Sequence, residues 1–382
     1  MESFSQVMHQ WDPADAVARA HGAPLEEAAL ALHAPKLDSI EAFAALLSPN
    51  AAPLLEPMAQ AAQRLTRRHF GRTVRMFVPL YFTNECVNNC KYCGFSRSNQ
   101  FKRTTITADE VDRQSEVLAA HGFRSLLLVA GEHPRYAGPA FVEECIRRGL
   151  KHMPSVGLEI APATVETYAG FVAAGADSLT AFQETYHEPT YREMHTSGPK
   201  RVYDFRVDTH QRAALAGFRR VGLGVLFGLH DWRYDVVCMA AHARWMLKHC
   251  WRTALTISFP RMRPAVGGFS PDPKNVPTDR EFVQLICALR LFLPTVGFTV
   301  STREAPKLRD HLVQIAVTQI SAGASTEPGG YSDCSKESWH RDDQNGEQFH
   351  VADERSPEEV AAALRALDLE PVWKDFDTAF LK

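Results

Sequence analysis

Short runs rich in Val, Ile, Leu and Phe recur at residues 74–82, 125–130, 156–161, 178–183, 221–228, 254–259, 296–301 and 313–320. Near-continuous apolar runs suit strands buried on both faces. Longer amphipathic stretches separate them, and their starts are chemically marked. Thr107-x-x-Glu110 and Thr278-x-x-Glu281 read as capping boxes, in which hydroxyl and carboxylate satisfy free backbone N–H groups. Strand candidates alternating with helix candidates over about 250 residues predict an α/β fold of the (β/α)8 barrel type rather than a doubly wound sheet.

The flanks carry other patterns. Residues 1–70 are rich in Ala and Leu at helical spacing, as in 25–32 and 40–47, and predict a helical N-terminal cap. The barrel is expected over 71–325 and a short C-terminal extension over 326–382. Within that extension 332–355 reads as a polar loop, and Ser356-Pro-Glu-Glu359 opens a helix with Pro in the first turn.

A chain of 382 residues needs no disulfide or metal staple to fold. With 42 basic and 45 acidic residues it lacks the basic excess of a nucleic-acid binder. No apolar run approaches the roughly 18 residues of a membrane span. The first residues show no basic region followed by an apolar one, as a signal peptide would. The expectation is a cytoplasmic protein with neither nucleic acid nor membrane as partner.

Cysteine usage then narrows the chemistry. Cys86, Cys90 and Cys93 are clustered, while Cys145, Cys238, Cys250, Cys287 and Cys334 are scattered. Lone cysteines are usually buried small apolar groups. A tight cluster in a reducing compartment points to metal. Two arrangements are open. Zinc would need a fourth ligand, for which His121 is the candidate. Three thiolates also suit a four-iron cluster with one iron left open.

Barrel chemistry sits at the C-terminal ends of the strands. Gly131-Glu132-His133, Gln183-Glu184-Thr185-Tyr186-His187, Ser301-Thr302-Arg303-Glu304 and Ser321 all fall there. Glu159, within an apolar strand, needs a partner, because an unpaired buried charge is costly. Arg206, on a helix candidate, is placed either to pair with it or to stand as a solvated helix charge. Arg303 offers a planar fork that binds a carboxylate through two parallel hydrogen bonds. Ser301-x-x-Glu304 also reads as a capping box, which favours Ser321 over Ser301 for contact with a substrate.

The spacing CxxxCxxC with Tyr92 before the last cysteine resembles the signature of the radical S-adenosylmethionine (SAM) superfamily. Cys86-Val-Asn-Asn-Cys90, Gly131-Glu132-His133, the 183–187 segment, Ser258-Phe-Pro-Arg-Met-Arg-Pro264, Ser301-Thr-Arg-Glu304, Pro328-Gly-Gly-Tyr331 and Pro371-Val-Trp-Lys-Asp375 resemble the tyrosine lyases of thiazole biosynthesis, over roughly residues 70–376. One departure is Phe182, where many such lyases carry Tyr.

The resemblance implies a radical SAM barrel with one 4Fe-4S cluster on Cys86, Cys90 and Cys93, and SAM on the open iron. Tyr92, Gly131, Glu132, Glu159 and Arg206 would surround SAM. Arg303, Ser321, Gln183 and Tyr186 would address L-tyrosine. The implied reaction cleaves the Cα–Cβ bond of tyrosine to 2-iminoacetate and 4-methylphenol, with 5′-deoxyadenosine and methionine. Thiazole synthase and a flavodoxin- or ferredoxin-type electron donor are the implied partners. A related hydrogenase-maturation lyase holds a second cluster on further C-terminal cysteines. Here Cys334 alone follows Cys287, so release of 2-iminoacetate is expected rather than onward conversion to carbon monoxide and cyanide.

Overall fold

The computed structural model describes residues 2–265, 267–339 and 347–374. Eight parallel strands form its centre: β1 Thr73–Thr83, β2 Ser125–Ala130, β3 Ser155–Glu159, β4 Ser178–Thr180, β5 Arg220–Gly224, β6 Ala254–Ser258, β7 Gly297–Val300 and β8 Gln319–Ser321. Each pairs with the next, and β8 returns to β1 through Arg75 opposite Gln319 and Phe77 opposite Ser321. The sheet is therefore a closed barrel ringed by helices. A ninth strand, β9 Glu370–Val372, pairs with the outer end of β1.

The alternation within the strands explains the interior. On β1, Val74, Met76, Val78, Leu80 and Phe82 point outward and are buried beneath helices. Arg75, Phe77, Pro79 and Tyr81 point inward and line a cavity. Successive side chains of a strand face opposite ways, so every strand repeats this division. Gly157, Thr180, Gly222, Thr256 and Thr299 are the inward residues of the middle layer. Small and polar groups leave a polar cavity along the axis, where most barrels of this type are filled by branched apolar side chains. The apolar runs are thus one-sided, with the outer face supplying the hydrophobicity.

One predicted strand moves. Residues 313–315 belong to the helix Pro306–Ile315, and the strand begins at Gln319. Arg309, Leu312 and Val313 form that helix's buried face, a helical spacing that a short apolar run cannot reveal by itself. The capping boxes at Thr107, Thr278 and Ser356 all form. The one read at Ser301 does not. Ala305 caps the next helix without a side-chain bond, and Glu304 turns instead to Arg261 and Arg263.

Helices Phe4–Gln10, Ala14–Gly22, Leu25–His33, Ile40–Ala45 and Leu55–Phe70 precede the barrel. Phe4 stacks on His242 of the helix Trp232–His249 at 4.0 Å. Ser5 donates its backbone N–H and its hydroxyl to the Asp208 carboxylate, at 2.9 and 2.7 Å. The first helix is thereby fastened beside the short helix Tyr203–Val207. After β8, Tyr331 donates to the Pro79 carbonyl at 2.8 Å and ties the extension to β1. The buried Arg309–Asp353 pair anchors the approach to the helix Pro357–Ala366. Residues 340–346 of the polar loop, and Asp375 and Phe376 of the tail, lie outside the described residues.

Candidate active site

The loop leaving β1 carries Cys86, Cys90 and Cys93, all free thiols lining one cavity above the barrel mouth. Its shape is held by short-range polar contacts. Arg103 donates to the carbonyls of Asn84, Phe95 and Ser96 at 2.6–2.9 Å. Asn89 and Cys90 form a small ladder with His195–Ser197. Side-chain amides of Asn88 and Gln348 point N–H groups at the sulfurs of Cys86 and Cys93, at 3.7 and 3.8 Å. Such donors stabilise thiolates.

The donor set separates the two metal readings. His121 bonds Glu358 and the Ser335 carbonyl, on the outer layer, so it cannot complete a zinc site. Among the described residues no three His, Cys, Asp or Glu side chains converge on a point that one ion could occupy. Three thiols spread around one cavity fit the separate corners of a four-iron cluster. Burial pushes the Cys90 and Cys93 thiols above their ordinary values, with Lys200 pulling the other way. Cluster assembly therefore releases protons from this loop.

Gly131 explains how the second motif meets the first. A Cβ there would lie 2.3 Å from the Glu85 carbonyl oxygen, so only glycine lets the end of β2 touch the cysteine loop. The next residue, Glu132, accepts from Asn88 Nδ2 at 2.7 Å and from Arg206 at 2.7 Å. Burial opposes its ionisation, but Arg206 and Lys200 outweigh burial and hold its carboxyl below the usual range. Arg206 thus pairs with Glu132, where the sequence suggested Glu159. The helix Tyr203–Val207 points it toward the cysteine loop.

Glu159 faces both the upper cavity and the barrel cavity. Burial raises its carboxyl to about 7, against the pull of Arg303. Arg303 also lines both cavities. Its guanidinium lies 3.3 Å over the Phe349 ring and has no ion-pair partner among the described residues. Ser321 lines the barrel cavity below it, with its hydroxyl accepting from the Thr302 N–H at 3.2 Å. Phe182, the departure noted above, lies on the wall shared by the two cavities.

Two expected substrate residues fall elsewhere. Gln183 is buried behind the wall and lines neither cavity. Tyr186 faces outward, where its hydroxyl meets His242 Nδ1 at 2.8 Å and its ring meets Phe4 edge-on. The chain turns between them because Asp235 accepts from the Tyr186 N–H and the Thr185 hydroxyl, at 2.7 and 2.9 Å.

Glu184 was named only as part of the 183–187 segment, with no role of its own, and Lys200 was not named from sequence. Glu184 sits at φ +71°, an uncommon conformation for a residue with a side chain. It pairs with Lys200 Nζ at 2.7 Å and lies 3.8 Å from Arg206. Glu132, Arg206, Glu184 and Lys200 so form one charge-alternating chain along the cavity wall. Lys200 is raised above its ordinary value despite burial, with Glu184 the largest favourable partner. Tyr92 donates its hydroxyl to His195 Nε2 at 2.8 Å, since His195 Nδ1–H donates to the Tyr191 carbonyl. Burial lowers His195 to about 3, so the ring is neutral and this tautomer is fixed.

Residues 80–237 match the family model described as Radical SAM superfamily, and 258–370 that described as Biotin and Thiamin Synthesis associated domain. The chain is 41% identical over 379 residues to the 2-iminoacetate synthase of Salmonella typhimurium, covering 99% of this chain and 98% of that protein. The Escherichia coli protein of the same name shows the same identity and shares. A crystal structure of HydG, a maturase of the FeFe-hydrogenase, superposes with a TM-score of 0.83 at 34% identity, over 97% of this chain and 78% of that one. Methylornithine synthase shares the fold, with a TM-score of 0.70 at 20% identity over 91% and 97% of the two chains.

Proposed function

The chain belongs to the 2-iminoacetate synthase family of radical SAM enzymes, and from that premise we propose how its residues divide the work. It is a lyase that cleaves the Cα–Cβ bond of L-tyrosine to 2-iminoacetate and 4-methylphenol, for thiazole formation in thiamine biosynthesis. When bound, a 4Fe-4S cluster on Cys86, Cys90 and Cys93, with SAM on the open iron, supplies a 5′-deoxyadenosyl radical.

The observation that carries the assignment of roles is Arg303. It is a cation without an ion-pair partner among the described residues, between the cysteine-loop cavity and the polar barrel cavity. A tyrosine carboxylate would complete it through two parallel hydrogen bonds. The amino-acid end then lies over Ser321, with the phenol directed along the barrel wall. Glu132 would accept from the ammonium of bound SAM, and Arg206 holds Glu132 ionised and in place. Tyr92, fixed by His195, would help hold the adenine. Glu159 addresses the SAM ribose, and its carboxyl near 7 can hold or release a proton there. Gln183 and Tyr186 act through the shape of the loop and not by contact.

Thiazole synthase as recipient of 2-iminoacetate, an external one-electron donor, a cytoplasmic setting and the division at residues 70 and 325 belong to the same proposal. Among the described residues no helix is long and apolar enough to cross a membrane.

The test is anaerobic purification followed by metal analysis and turnover. Brown protein with close to four irons per chain is expected, its colour and SAM cleavage lost in Cys90→Ala. Tyrosine, SAM and reductant should give 4-methylphenol and glyoxylate, the hydrolysis product of 2-iminoacetate. Colourless, zinc-bound protein would overturn the cluster. Appreciable carbon monoxide, lost in Cys334→Ser, would favour hydrogenase-maturation chemistry.

A further inference from the structure

We propose that the rim around the cysteine loop is the docking face for an acidic one-electron carrier protein, engaged through Arg97, Lys102, Arg135 and Arg201. The proposal rests on the cluster assignment above and goes on to say where the electron enters.

These four residues are exposed, and none has an ion-pair partner among the described residues. The backbone at or beside each of them is tied to one short segment, 84–88. The Arg97 N–H donates to the Asn88 carbonyl at 2.9 Å. Asn88 Oδ1 accepts from the N–H of Lys200, the residue before Arg201, at 2.9 Å. Asn84 donates to the Lys102 carbonyl at 3.1 Å. The Val87 N–H donates to the Glu132 carbonyl at 2.9 Å, which brings residues 133–135 alongside. The segment itself bears Cys86.

Three of the acids nearby are committed to other basic groups. Glu193 is paired with Lys91, Glu188 with Arg192 and Asp204 with His9. Glu85 is half-buried on the loop itself and lies near Arg103. The whole chain carries a net charge of −3, so this basic rim runs against the overall balance.

Between Arg135 and Arg201 the surface opens into a groove walled by Pro134, Pro162, Pro199 and Val202. Val202 is 57% exposed and Phe205 39%. Glu132, Lys200 and Arg206 line both this groove and the cysteine cavity, so the groove is the outer side of the cluster wall. An apolar centre within a charged rim is the anatomy of a protein interface. Opposite charge on the partner steers encounter and fixes orientation. An acidic carrier with its redox group at an apolar edge fits this face. In the step itself one electron leaves the reduced carrier, which is oxidised, and enters the cluster, which is reduced. No bond forms or breaks.

The experiment compares the holoenzyme with Arg97→Glu/Arg201→Glu, using an acidic flavodoxin as probe. Binding to the wild type should weaken steeply as salt rises above about 50 mM. The double variant should bind at least about tenfold more weakly at low salt, with a flattened salt dependence and equally slowed cluster reduction by reduced flavodoxin. Reduction by dithionite and dithionite-driven tyrosine cleavage should match the wild type, and Arg64→Glu on a remote helix should change nothing. Unchanged flavodoxin binding, or no binding to the wild type, would overturn the proposal. So would equally slow reduction by dithionite, because the arginines would then serve the cluster and not a partner. Tyrosine cleavage under dithionite decides the family reading separately.

Discussion

The Arg206 guanidinium lies 2.7 Å from the Glu132 carboxylate, with only 7% and 13% of the two side chains exposed. Neither charge has ready access to water, so each depends on the other. Their mutual need ties the helix Tyr203–Val207 to the strand end that follows Gly131.

Removing the cation should therefore cost more than a surface pair would. Arg206→Leu leaves Glu132 with Lys200 and Asn88 alone, and a loss of about 3–5 kcal/mol is expected for a broken buried pair. Chemical denaturation measures it. SAM affinity, by equilibrium dialysis, should fall as well.

Arg303→Leu should behave differently. Its side chain forms no ion pair among the described residues and acts on Glu159 only from a distance, so cluster content and most SAM binding should persist. Tyrosine-dependent turnover should drop about 10²-fold, equivalent to about 3 kcal/mol of misplaced binding. Unchanged kcat/KM for tyrosine would remove Arg303 from the site.

Glu159 gives a pH signature with a definite sign. Its folded value is raised to about 7 from an ordinary 4.5, so between those values the folded state binds more protons than the unfolded. Stability contributed at this site therefore falls as pH rises across that window and is level above it. In Glu159→Gln this fall should vanish. The Tm difference, variant minus wild type, should grow from about pH 5 to about pH 7 and then stay flat. A difference that shrinks with rising pH would contradict the buried placement.

Gly131→Ala tests the contact between strand end and cysteine loop. The new methyl must displace the Glu85 carbonyl, so a loss of about 1–3 kcal/mol is expected. The displacement acts next to Cys86, so iron per chain should fall with it. Full iron loading at unchanged Tm would show that the loop yields freely.

What the sequence could reveal depended on range. The barrel was legible because apolar strand runs and capping boxes are local: Thr107 finds Glu110 within one turn. The three cysteines were legible because cluster ligands share one loop. Arg303 was visible as a charge at a strand end and Glu159 as a charge within an apolar strand, though not that they face one cavity. Gln348 was invisible, since it reaches Cys93 across 255 residues of chain. Lys200 was hidden because its direction depends on a short turn closed by Asn88. Tyr186 misled because a motif names neighbours and not directions, and Asp235 turns that residue outward.

The first helix has a practical meaning for anyone handling this protein. Phe4 and Ser5 hold the outer flank of the segment that aims Arg206, and His9 reaches Asp204 beside it. A tag fused close to Phe4, or a protease clip behind Gln10, would leave every group in the cavities chemically intact. The aim of Arg206 would still be loosened from outside. Low activity in such a preparation would be a fault of alignment, and adding iron, sulfide or SAM would not repair it.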